Sequence, residues 1–288
     1  MNFFKFFGFL PFLISVGFTQ TEFNGVWQGI LHKDGSKLSE ASILFAEFTV
    51  VDKNLTGKTR DELPKSEHYI IHRIKGQKMD SVSIKFKQYV SENKKLNART
   101  TWIPIECSLK YDSITGYLSG NFNQTTGRKS GGKIIMYRSN AVFSDNDMIM
   151  LHQSWRDVFI DDLNKKRKAP EIREKERRNF VFEPIYFDYD KDELKTEYFN
   201  YLSDMARIVL DHTDLRIKMT GHTDADGSDV YNKDLSQRRA KVIQDFFVKQ
   251  GIPLHKIVID FKGESEPVDN NKTDNGKQRN RRVDFAFI

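Results

Sequence analysis

Cysteine occurs once in 288 residues, at Cys107, so no disulfide can close within the chain. No cysteine follows the apolar N-terminus where a lipid would be attached. Beyond that N-terminus there is no run of about 18 apolar residues, so the sequence offers no ordinary membrane-spanning helix. Charge of one sign is also scarce: 46 Lys and Arg stand against 40 Asp and Glu, and a net +6 is too small to argue for nucleic acid. No nucleophile with its base and no paired carboxylates in a cleft can be assembled from spacing. With 38% hydrophobic and 30% charged residues, the chain reads as globular and long enough for two domains.

The opening MNFFKFFGFLPFLISVGFTQ places Lys5 before an apolar stretch from Phe6 to Phe18 and then small residues. This pattern predicts a secretory signal peptide over 1–20, cleaved between Gly17 and Gln20, and hence an exported, periplasmic protein.

From 21 to 143 the hydrophobic pattern has period two. FNGVWQGIL sets Phe23, Gly25, Trp27, Gly29 and Leu31 on one side, and SVSIKFKQYV sets Val82, Ile84 and Phe86 opposite serines and lysines. SILFAEFTVV, HYIIHRIK, IPIECSLKYD, GYLSGNF and KIIMYR are further candidate strands. Together they predict an antiparallel β barrel or sandwich. The Gly-x-Trp opening resembles the first strand of lipocalin-like barrels, a three-residue likeness that implies a soluble barrel holding an apolar ligand or an envelope protein. Alternation cannot say which side of a barrel faces out. A small outer-membrane β-barrel tied to the wall, or a wall-targeted enzyme domain, therefore remain as alternatives. Pro104 inside IPIEC argues against the former.

Over 144–180, Met148, Leu151, Trp155, Phe159 and Leu163 fall at helical spacing, and a mixed-charge run broken by Pro170 follows. A docking helix and a solvated linker are expected. From 181 to 288 strands and helices alternate, which predicts helices packed on one sheet, and the whole chain is of the α+β class.

In the helix predicted over 230–249, Leu235, Val242, Ile243 and Phe246 cluster on one face, and Arg239 projects from its centre. A guanidinium does not lose its proton, so a buried one calls for an anion. Three readings stand at this point: an internal salt bridge to Asp224, Asp224 as a turn or capping residue of TDADG, or a ligand.

The ordered motifs GHTDADG, NKDLSQRRAKVI, GESEPV, NNKTDNGK and NRRVDFAFI resemble the OmpA-like peptidoglycan-binding domain over about 181–288. Phe261 and Lys262, before Gly263-Glu264, depart from the family's usual glycine and aromatic. The resemblance implies an α/β sandwich with a mixed sheet. It also implies that Asp224, within His222-Thr223-Asp224, and Arg239 grip the diaminopimelate of peptidoglycan stem peptides. A carboxylate would take the ammonium and a guanidinium the carboxylate of that zwitterion. Thr223, Asn232, Ser236, Asn280 and Arg282 match the pattern as further contacts or supports.

GRKSGGKI has glycines at phosphate-loop spacing, but Ile134 stands where a hydroxyl must hold magnesium and a strand follows. His68 and His72 alone are a weak metal pair. The sequence therefore predicts a non-catalytic protein without metal or cofactor, anchoring an exported β domain to the cell wall.

Overall fold

A computed structural model describes residues 23–95, 102–127, 130–143 and 153–288. The signal peptide expected over 1–20 lies outside these residues, as do Met148 and Leu151 of the expected docking helix. The chain divides into two compact units, one made chiefly of the residues up to Ile160, the other of Asp161–Ile288 with Ser113–Tyr117.

The first unit is a closed antiparallel barrel, which decides between barrel and sandwich. Its eight strands run in sequence order: β1 (Gly25–Lys33), β2 (Ser42–Val51), β3 (Asn54–Glu62), β4 (Tyr69–Lys78), β5 (Ser83–Lys95), β6 (Ile105–Asp112), β7 (Tyr117–Gln124) and β8 (Gly131–Arg138). Pairing of β1 with β8, from Trp27 opposite Arg138 to Lys33 opposite Gly132, completes the closure. Seven of these strands are legible as alternation. The eighth, β3, was not expected, and β6 starts only after Pro104.

The apolar side faces inward. Trp27, Leu44, Phe48, Phe86, Leu118 and Met136 are among the side chains that fill the interior. Each large side chain so buried stabilises by about 1.5–3 kcal/mol. The outward positions of β5 and β6 are exposed and charged, with Lys85, Lys87, Glu106 and Lys110 among them. At one end Trp27 donates its Nε1–H to Phe23 O (2.9 Å), and the Arg138 guanidinium lies 4.8 Å from the Trp27 ring. An outer apolar patch, Ile43 and Phe45, is covered by Trp155 of helix α1 (Ser154–Asn164) and by Phe143. Trp155, Phe159 and Leu163 of the expected docking helix lie in α1.

The run after α1 is helical in part. Pro170 opens helix α2 (Pro170–Asn179) at its first position, where proline's missing N–H costs nothing. Several charges of this segment are paired: Asp162 with Arg167 and Arg173, both at 2.7 Å, and Glu176 with Lys168 (2.5 Å) and Arg207 (2.8 Å).

The second unit is a four-stranded mixed sheet of order β11 (Ile257–Phe261), β10 (Ile217–Gly221), β12 (Arg282–Phe287) and β9 (Ile185–Tyr186). Strands β10 and β11 are parallel, and the other pairs antiparallel. Helices α3 (Phe199–Asp211) and α4 (Asp229–Lys249) contribute Leu202, Met205, Val209, Ile243 and Phe247 to one core with Ile217, Met219 and Val283 of the sheet. A short helix α5 (Asp274–Asn280) precedes β12.

Candidate ligand-binding site

Strand β10 ends at Gly221, and the chain leaves it as His222-Thr223-Asp224 at the C-terminal edge of the sheet. Two backbone bonds fix this exit: His222 N–H to Arg282 O (2.8 Å) and Thr223 N–H to Gly263 O (2.9 Å). Asp224 thus sits between the start of β12 and the loop after β11. Helix α4 begins four residues beyond Asp224's neighbour Ala225, with Ser228 as N-cap accepting from Tyr231 N–H. Gly227, at φ +108°, makes the turn that an L side chain rarely adopts.

Arg239 is fully buried on the sheet-facing side of α4. Its partners are backbone carbonyls: Nε donates to Lys191 O (2.9 Å), Nη1 to His222 O (3.0 Å) and Nη2 to Asp188 O (3.1 Å). Its guanidinium lies 5.3 Å from the Phe187 ring. No carboxylate is within ion-pair distance of it among the described residues, so the internal salt bridge to Asp224, one of the three readings of the sequence, is not formed. The requirement for an anion is met in part by three carbonyl dipoles. Burial pushes Arg239 down to about 10, against the opposing pull of Asp224 and with the help of Arg281's like charge.

Asp224 pairs instead with Arg281. Its Oδ2 accepts from Arg281 Nη1 at 2.7 Å, and both side chains are buried. Arg281 also donates through Nε to Phe187 O (3.3 Å) and through Nη2 to Gln278 Oε1. Both arginines are therefore tied to the segment 187–191 that follows β9. Asp224, Arg239 and Arg281 form a buried group of two cations and one anion.

Sequence reasoning chose Arg282 and missed Arg281. Alternation along β12 was the available signal. Val283 enters the core, while Arg282 and Asp284 share the other face and pair with each other at 2.9 Å. Arg281 falls before the strand and turns to Asp224.

The other expected residues divide. Ser236 Oγ donates to Lys233 O (2.8 Å) and accepts from Gly263 N–H (3.0 Å), pinning α4 to the loop after β11. Asn280 Oδ1 accepts from Val268 and Asp269 N–H (2.9 and 3.0 Å), and its Nδ2 donates to Asp269 O and Asn271 Oδ1. Both are used up within the fold. Thr223 Oγ1 and Asn232 Oδ1 are buried and have no hydrogen-bond partner, although Asn232 Nδ2 donates to Glu264.

Residues 186–281 match the OmpA family model. The second unit is an OmpA-like domain. Outer membrane porin F of Pseudomonas fluorescens is 36% identical over 102 residues, 35% of this chain and 31% of that protein. Outer membrane protein A of Bordetella avium is 36% identical over 103 residues, 36% of this chain and 53% of its own length. The chain thus spans between a third and about half the length of these relatives. The crystal structure of the peptidoglycan-associated lipoprotein from Burkholderia pseudomallei is 26% identical, covering 36% of this chain and 89% of that one with a TM-score of 0.36. Asp224, Arg239 and Arg281 all lie within the stretch matched by the OmpA family model.

Proposed function

We propose that the OmpA-like domain binds peptidoglycan non-covalently through the diaminopimelate of its stem peptides and holds the exported barrel at the cell wall. In this reading Asp224 takes the ligand's ammonium, while Arg239 and Arg281 face its carboxylate. The observation that carries it is the charge of the group: two buried guanidinia against one carboxylate, with Arg239 lacking an anion of its own. Of Arg239's five N–H donors, three are engaged by carbonyls, which fix the guanidinium plane and leave two for a ligand. A zwitterion adds its carboxylate to the cationic side and its ammonium to the anionic side. The resemblance to the OmpA-like peptidoglycan-binding domain supports peptidoglycan as the polymer. Thr223 and Asn232 stay in the proposal as polar contacts, and Ser236, Asn280 and Arg282 as residues that position the loops.

The charged outer positions of β5 and β6, with an interior filled by apolar side chains, support a barrel that meets water rather than lipid. In this reading the protein is periplasmic and associated with peptidoglycan. A non-catalytic role fits the barrel's one thiol: burial, then the charges of Asp61 and Glu106, push Cys107 well above its ordinary value and keep it from acting as a thiolate.

The test is sedimentation with purified sacculi. Asp224→Asn keeps the side chain's size and removes the charge that would hold an ammonium. Loss of tenfold or more in affinity is expected from one charge-assisted bond. Co-sedimentation of the folded variant at the wild-type level would sink the reading.

A further inference from the structure

Four carboxylates are buried among the described residues: Asp61, Glu62, Asp162 and Asp224. Three have a basic partner, Glu62 with Arg60 at 2.6 Å, Asp162 with two arginines and Asp224 with Arg281. Asp61, on the inward face of β3, has no lysine or arginine partner, only the imidazole of His72. Its Oδ2 accepts from Gln88 Nε2 (2.9 Å) and lies 3.5 Å from His72 Nδ1, an atom that makes no hydrogen bond. Gln88 is fully committed, since Nε2 also donates to Thr59 Oγ1 and Oε1 accepts from Ile105 N–H. A buried anion served by one amide and one imidazole is undercompensated.

Asp61 also lines a cavity of about 80 Å³ at the barrel end where β1, β3 and β7 finish. A water needs roughly 10–15 Å³ by the same measure, so the space admits a molecule of several heavy atoms. Around it stand Lys33 and Trp102 as donors and Leu31 and Phe122 as apolar walls. Trp102 Nε1 is buried without an acceptor. One carboxylate together with two donors, an ammonium and an indole N–H, and apolar walls in the same lining give the cavity the polarity of an amino-acid zwitterion.

We propose that this end of the barrel is a second binding site, for a free α-amino acid with a small side chain. Asp61 receives the ammonium, Trp102 Nε1 and Lys33 the carboxylate, and Leu31 and Phe122 the side chain. The site is independent of the peptidoglycan reading, since all its residues belong to the barrel.

The experiment uses the full chain with ¹⁵N-labelled tryptophan. Three tryptophans give three indole signals, and Trp102→Phe identifies the one concerned. L-Alanine should shift that signal saturably, and N-acetyl-L-alanine, which lacks the ammonium, should not. Asp61→Asn should weaken L-alanine tenfold or more. Lys33→Ala, at an exposed position where folding is not at stake, should weaken it several-fold. No saturable shift with L-alanine, equal binding of the acetylated compound, or unchanged affinity in Lys33→Ala or in folded Asp61→Asn overturns the proposal.

Discussion

Asp224 and Arg281 form a buried ion pair, Oδ2 to Nη1 at 2.7 Å, while Arg239, which one reading of the sequence pairs with Asp224, is held by three carbonyls. The pairing separates two jobs. Arg281 orients the carboxylate, and Arg239 is a buried cation fixed by backbone carbonyls.

If Arg281 orients Asp224, the two substitutions will not be additive. Urea unfolding of Asp224→Asn, Arg281→Gln and the double variant should give a coupling of about 1–3 kcal/mol, because each single change leaves a buried partner unpaired. Additive losses would show that the contact contributes nothing to the fold.

Arg239→Ala has opposing effects on stability. It orphans the carbonyls of Asp188, Lys191 and His222, yet it also removes a cation that burial holds down to about 10. The net expected loss is about 1–3 kcal/mol, leaving a folded domain that no longer sediments with sacculi. Arg239→Lys keeps the charge, but a single ammonium cannot reproduce the three-way fork, so its binding should also fall by about tenfold or more. Wild-type sacculus binding by either folded variant would remove Arg239 from the site.

What the sequence conceals follows from physical causes that can be named. Seven barrel strands announce themselves by alternation. Strand β3 does not, because its inward positions are Leu55, Gly57, Thr59 and Asp61, only the first of which is a large apolar residue. At Gly57 a Cβ would lie 1.8 Å from Glu47 O, so close strand approach replaces a side chain there. The polar inward residues are those that line or border the barrel cavity. In the OmpA-like domain, helix period exposed Arg239 as an anomaly. Its carbonyl partners at 188 and 191 belong to a segment with no regular period, so spacing could not find them. Arg281 is hidden for a related reason: it precedes its strand, where alternation no longer assigns a face. The charged run at 164–180 hid helix α2, because composition does not show which charges pair along a helix.

Acid stability offers a separate check on the cluster beside the crevice. Burial alone would raise the Asp284 carboxyl, but the hydrogen bond with His222 and the charge of Arg282 outweigh it and bring it below the usual carboxylate range. A depressed folded-state value means that Asp284 contributes stability above its unfolded value near 3.9, and that this is lost as pH falls through the folded value. Asp284→Asn should therefore lower the urea midpoint at pH 6 and leave it nearly unchanged at pH 2. Because the carboxylate is partly exposed, the difference will be small. An equal deficit at both pH values would mean that the substitution acts through packing.

Gly221 tests whether the seat of helix α4 on the sheet is what makes the site. A Cβ at this position would lie 2.1 Å from the backbone oxygen of Ser236, one turn before Arg239. Backbone cannot rotate away as a side chain can, so Gly221→Ala must push α4 off the end of β10. That displacement would strain the bond from Arg239 to His222 O and the one between Ser236 and Gly263 N–H. Overpacking of this kind costs about 1–3 kcal/mol or more, and binding should fall further than stability alone explains. The measurement is sacculus affinity at a temperature where the variant is still folded by circular dichroism. A variant that is destabilised but binds normally would show that the guanidinium finds its ligand without the seat that Gly221 provides.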